Sequence, residues 1–166
     1  MNSQLAVIYL TILIGMLGGI GWLVVQQILK NRRQEQVIAE LQPKLTKEKG
    51  SAEEYYQLGS VYLRKKLYAK AIAEFHKSLK DNPTPEAYNA LGYAYFCQEQ
   101  YDLAIKNYRE ALELEPNYLV ALHNLAHAYE KKRLIPQAIA TYEQALALNP
   151  KDNIAQRRLR ALKPRV

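Results

Sequence analysis

The chain has 166 residues, is 49% hydrophobic and carries a formal net charge of +7. That length allows one modest domain with an appendage. A single cysteine, Cys97, excludes an internal disulfide and any cysteine-built zinc or iron–sulfur site.

The first 29 residues set themselves apart. Residues 2–29 contain no Asp, Glu, Lys or Arg, so every formal side-chain charge falls on 30–166. Leu5–Val25 is an apolar run of 21 residues. As a helix it reaches about 31 Å, close to the hydrocarbon thickness of a bilayer. Trp22, near its end, suits the headgroup level. A cleaved signal peptide needs a basic segment before the run and a small-residue cleavage site after it. Only "MNSQ" precedes the run, and Val24, Val25, Gln26 and Gln27 stand at its end, with no small-residue site. Residues 1–29 are therefore expected to be an uncleaved transmembrane anchor. Lys30, Arg32 and Arg33 flank its far end, and no Lys or Arg precedes it. The positive-inside rule then places 30–166 on the cytoplasmic side or its plastid equivalent. Gly15 and Gly19 form a G-x-x-x-G, with Thr11 one step earlier on the same face. Such a face lets two anchors pack as a homodimer, although glycine is common in membrane helices generally.

Residues 30–51 read as a basic helical linker. Val37, Ile38, Leu41 and Leu45 keep a helical spacing, which Pro43 is expected to interrupt.

From residue 52 the chain aligns on itself three times, over 52–84, 85–118 and 119–152. Pro83, Pro116 and Pro150 stand 33 and 34 residues apart. The first large position holds Tyr55, Tyr88 and Leu122, and an L-G-type pair follows as Leu58-Gly59, Leu91-Gly92 and Leu125-Ala126. Next come Tyr62, Tyr95 and Tyr129, then the small residues Ala71, Ala104 and Ala138. Phe75, Tyr108 and Tyr142 are the aromatic partners of that second half, followed by Ser78, Ala111 and Ala145. This period and pattern resemble the tetratricopeptide repeat, a helix pair that cannot bury its apolar face without stacked neighbours. Small residues let the two helices approach, and each Pro forces its predecessor out of the helical region.

The resemblance implies a concave groove lined by the second, fifth, ninth, twelfth and thirteenth residues of each first helix. Carried over, these are Glu53, Tyr56, Ser60, Leu63 and Arg64 in the first repeat. The second presents Glu86, Asn89, Tyr93, Phe96 and Cys97, and the third Val120, His123, His127, Glu130 and Lys131. Some family members hold a chaperone's terminal carboxylate with Lys, Asn and Arg there. Tyr56 and Ser60 stand where the first repeat would need Lys and Asn, which argues against that ligand. Tyr56, Tyr93 and Phe96 suit an extended or helical peptide held by apolar contact.

The segment "HNLAH", His123 to His127, has the spacing of a zinc hydrolase motif but lacks the glutamate that would act as base. With Glu130 one turn on, a metalloenzyme is a conceivable reading. The repeat frame instead makes both histidines groove residues, with pH-sensitive binding as one consequence. No metal, cofactor or catalytic residue is expected.

Residues 153–166 are expected to form a basic capping helix and tail. Ile154, Leu159 and Leu162 would cover the last repeat, with Arg157, Arg158, Arg160 and Lys163 outside. No nucleic-acid-binding motif accompanies that charge, so no nucleic-acid partner is expected.

The fold class expected is thus all-α: a transmembrane helix, a three-repeat solenoid and a capping helix. With "AVIYLTILIG", "NRRQE" and "GSAEEYYQLGSVYLRKKLYAKAIAEFHKSL", the whole resembles a family of small membrane-anchored tetratricopeptide proteins of cyanobacteria and red-algal plastids. That family is implicated in assembling or stabilising photosystem I. The resemblance implies a thylakoid anchor, repeats on the cytoplasmic or stromal face, and photosystem I subunits or assembly factors as clients. A bacterial envelope protein serving secretion or outer-membrane assembly is the alternative.

Overall fold

The computed structural model describes residues 2–163; Met1 and residues 164–166, the end of the expected basic tail, lie outside them. Eight helices are found among the described residues. They are α1 (Asn2–Lys47), α2 (Ala52–Arg64), α3 (Tyr68–Asp81), α4 (Pro85–Cys97), α5 (Tyr101–Leu114), α6 (Leu119–Lys131), α7 (Ile135–Leu148) and α8 (Asn153–Leu162). The chain divides into two compact units, Met1–Pro43 and Lys44–Val166.

In the first unit, α1 exposes its large apolar side chains from Val7 to Leu29, Trp22 among them. It is the one helix among the described residues that is long and apolar enough to cross a membrane. A helix is the form such a run takes in lipid, because all its backbone groups are satisfied internally. The Thr11 hydroxyl donates to the Ile8 carbonyl of its own helix at 2.8 Å. Pro43 does not interrupt α1, contrary to the expectation from sequence: the helix continues to Lys47. The ring removes one amide donor, which would have served the Ala39 carbonyl. Ala39 is exposed, so water can serve that carbonyl instead.

In the second unit, α2 packs on α3, α4 on α5 and α6 on α7, and α3–α4 and α5–α6 contacts stack the pairs. The caps follow local chemistry. Ser51 and Glu54 form a reciprocal capping box at α2, and Thr84 caps α4 with Pro85 in its first turn. Asn82, Glu115 and Asn149, each just before a proline, end α3, α5 and α7 in extended backbone.

Each first helix ends the same way. Lys66, Glu99 and Arg133 adopt left-handed backbone with φ of 59°, 61° and 58°. The amides of Leu67, Gln100 and Leu134 then reach back to the carbonyls of Tyr62, Tyr95 and Tyr129 at 2.9, 3.0 and 2.9 Å. This satisfies carbonyls that a helix end leaves open. A side chain at such a φ carries a steric cost that glycine avoids, partly offset by glycine's greater freedom when unfolded. Glu99→Gly should therefore raise stability by about 0.5–1 kcal/mol in urea unfolding followed by circular dichroism.

The interior consists of the repeated small and large residues. Ala71, Ala104 and Ala138 are fully buried, as are Phe75, Tyr108 and Tyr142 facing the first helices. Burial raises the Tyr108 phenol far above its ordinary range. A Cβ on Gly92 would meet the Tyr108 ring at 2.8 Å, and one on Gly59 would meet Phe75 at 2.8 Å.

A further regularity runs along the stack. His76 Nε2 lies 2.9 Å from the Tyr95 hydroxyl, and Arg109 Nε donates to the Tyr129 hydroxyl at 3.1 Å. Glu143 pairs with Lys163 at 3.2 Å. His76, Arg109 and Glu143 hold equivalent repeat positions, and each links its second helix to the next element.

Candidate functional site: the concave wall

The first helices α2, α4 and α6 lie side by side, so positions of the same register converge on one wall. Tyr93 is 45% exposed there and stacks on Phe96, with ring centroids 6.5 Å apart and planes within 9°. Phe96 also meets His127 at 4.8 Å and Tyr101 at 5.4 Å. These rings form an aromatic shelf that joins the second and third repeats. Cys97 stands beside it, half-buried. The neighbouring Cys97, then burial, raises the Tyr93 phenol.

At the other end of the wall lies a pocket of ≈ 210 Å³ lined by Glu53, Tyr56, Thr84 and Glu86 among others. Tyr56 leans on Phe75 at 5.8 Å, and Gln57 donates to Glu53 at 2.9 Å. Asn89 accepts from Asn124 at 2.9 Å. Ser60 and Leu63 are half-buried, and Arg64, Val120 and Lys131 are exposed.

Two of the expected groove residues are otherwise engaged. His123 Nε2 bonds to Asp152 Oδ2, whose Oδ1 accepts the amides of Ile154 and Ala155 at 2.9 and 3.1 Å. Burial alone would raise the Asp152 carboxyl. The Ala155 amide, His123 and the Ile154 amide outweigh it and hold that carboxyl below the ordinary range. Glu130 Oε1 accepts from Tyr142 at 2.8 Å and from Arg158 Nε at 2.9 Å, while Oε2 pairs with the second Arg158 nitrogen. His123 and Glu130 thus clamp α8 onto α6. Among the described residues no three His, Cys, Asp or Glu side chains gather to hold a metal ion.

The cap itself differs from the sequence reading at two residues. Arg158 is not outside but half-buried on Glu130, and Ile154 is 50% exposed. Ala155, Leu159 and Leu162 form the buried stripe. They are spaced four and three apart, on one helix face, and Ile154 lies a residue off it. No motif announces the Asp152 and Arg158 contacts; an N-cap Asp before a basic helix was the one signal available.

His127 remains on the wall. Burial, opposed by Glu130 and reinforced by Lys131 and Arg158, holds its imidazole below the ordinary range. The unfolded chain therefore takes up this proton first as pH falls. The stability that His127 contributes is full above about pH 6.5 and declines as pH drops through the histidine range. His127→Gln should flatten this dependence, measured as the shift in urea midpoint between about pH 7.5 and pH 5.5.

The tetratricopeptide repeat profile matches residues 52–85, 85–118 and 120–152. The chain is 36% identical over 140 residues to the ycf37 protein of Cyanophora paradoxa, covering 81% of each. It is 34% identical to ycf37 of Pyropia yezoensis, covering 95% of this chain and 94% of that one. The chain belongs to the ycf37 family of tetratricopeptide-repeat proteins. A chloroplastic tetratricopeptide protein of Arabidopsis thaliana, PYG7, is 35% identical over 163 residues, and the chain spans 54% of its length. Among solved structures, MamA superposes with a TM-score of 0.72 at 25% identity, covering 78% of each chain. The first repeat domain of Spaghetti (RPAP3), bound to the HSP90 peptide SRMEEVD, gives 0.67 at 23% identity over 69% of this chain and 92% of that one. That last likeness concerns the fold alone. The chain thus carries a tetratricopeptide scaffold of the kind that mediates protein–protein interaction.

Proposed function

We propose that this protein is a membrane-tethered scaffold. Its concave wall holds protein clients and assists the assembly or stabilisation of photosystem I at the thylakoid membrane. One observation carries the reading: a single chain combines an exposed apolar helix with an aromatic shelf in which exposed Tyr93 and His127 flank half-buried Phe96. Tethering raises the effective concentration of the wall for membrane-bound clients. Aromatic side chains supply large contact area at low entropic cost. The remaining wall residues expected from sequence, Glu53 and Tyr56 foremost, frame the client's path. The chloroplastic relative of Arabidopsis thaliana supports a photosynthetic membrane. Lys30, Arg32 and Arg33 support repeats on the cytoplasmic or stromal side. Gly15 and Gly19, with open space around both, suit a homodimer of anchors.

Photocrosslinking residues at Tyr56 and Tyr93, in membranes of the source organism, test the client. Recovery of photosystem I subunits is expected, and its loss when Tyr93→Glu and His127→Glu block the wall. Labelling no different from that blocked variant would refute the reading. Topology is read separately by Lys151→Cys in a Cys97→Ala background, which an impermeant maleimide should label only after permeabilisation.

A further inference from the structure

We propose that the outer seam between α3 and α5 is a second docking site, which takes a client segment presenting a carboxylate beside an apolar side chain. It lies on the second helices, away from the concave wall, and stands independently of the wall's role.

The seam encloses a pocket of ≈ 370 Å³ over α4. Leu79, Leu91 and Leu103 line its apolar part, and Leu103 is 42% exposed. Lys80 and Lys106 are its cationic side chains, and Glu110 is the one acidic side chain lining it. Lys80 and Lys106 are exposed and form no ion pair among the described residues. His76 is held by the Tyr95 hydroxyl.

The repeats supply an internal control. The seam between α5 and α7 offers the same register positions with other residues. There Lys80 is replaced by Glu113, Lys106 by Ala140 and Glu110 by Gln144. The repeat therefore does not require lysine at either position. Two unpaired ammonium groups beside exposed leucine attract an anion that brings apolar surface with it. Opposite charge steers such an encounter, and apolar burial retains it. A lipid headgroup offers phosphate without an apolar group at the same depth, so an acidic peptide fits the pocket better.

The test uses the full chain in phosphatidylcholine nanodiscs and the fluorescein-labelled peptide Gly-Glu-Leu-Asp-Leu-Glu. Fluorescence anisotropy should show binding about tenfold tighter than for Gly-Lys-Leu-Lys-Leu-Lys. The double variant Lys80→Glu, Lys106→Glu should lose about the same factor, with an unchanged circular dichroism melt, and Tyr93→Ala should leave the affinity as it is. Equal binding of the two peptides would overturn the proposal. So would an affinity sensitive to Tyr93→Ala and not to the lysine changes, which would return the peptide to the concave wall. A double variant that loses phosphatidylglycerol vesicles while keeping the peptide would assign the seam to lipid and equally overturn it.

Discussion

Gly92→Leu should cost this protein about 3 kcal/mol or more, enough to broaden or abolish cooperative unfolding of the repeats. The glycine lies in α4, at the centre of the stack. A Cβ there would approach Tyr108 to 2.8 Å and the Ala104 carbonyl to 3.2 Å. Tyr108 is fully buried, so its ring has no open space to swing into. Gly92→Ala sets two effects against each other. Replacing glycine inside a helix gains about 1 kcal/mol of propensity, and overpacking loses about 1–3 kcal/mol. A net loss of about 1 kcal/mol is expected for alanine. The third repeat shows how alanine is tolerated at this register, with Ala126 fully buried near Tyr142. Urea unfolding of the full chain in non-ionic detergent micelles, followed at the helical circular dichroism band, separates the two variants. A leucine variant as stable as wild type would show that the α4–α5 spacing is not set by this contact.

Glu130→Ala should release the capping helix. Glu130's side chain is 10% exposed and serves both Arg158 and the buried Tyr142 hydroxyl. Removing it leaves a phenol and a guanidinium without their acceptor. Breaking a fully buried pair costs about 3–5 kcal/mol. Arg158 is 38% exposed, so water recovers part of that, and about 2 kcal/mol is the expected loss. Burial, then the Glu130 hydrogen bond, holds the Tyr142 phenol far above its ordinary range, consistent with a site built to keep it protonated as a donor. Glu130→Gln keeps an acceptor for Tyr142 and should lose less. A double-mutant cycle with Arg158→Ala should give a coupling of about 1 kcal/mol or more. Asp152→Ala attacks the other end of the clamp by removing the acceptor of two amides and the partner of His123. Loss of such a cap costs about 1–2 kcal/mol. With both ends removed, trypsin should cut after Arg157 and Arg160 well before the rest of the repeats. Unchanged cleavage there would mean that Ala155, Leu159 and Leu162 hold α8 without the clamp.

The repeat frame was legible because it is written three times. Ala71, Ala104 and Ala138, with Phe75, Tyr108 and Tyr142, recur in phase, and close packing leaves such positions little choice of residue size. The proline stops were equally legible, since a proline restricts the backbone of its own predecessor. Pro43 was misread for the same reason: the rule is local, and the cost of one lost bond near an exposed helix end is small enough for α1 to continue.

The groove was legible as a set of register positions and not as a set of available side chains. His123 and His127 are one turn apart on the same helix, yet His123 faces an N-cap aspartate and His127 an aromatic ring. Sequence could place Glu130 on the wall, but its two partners come from α7 and α8.

Helix phase, the apolar anchor and the repeated interior belong to the sequence alone, because each depends on residues within about one 34-residue period. The clamp on α8, the aromatic shelf and the pocket of the α3–α5 seam were decided only by tertiary structure. There polar and aromatic side chains from different repeats meet, and distance in space, not along the chain, selects their partners.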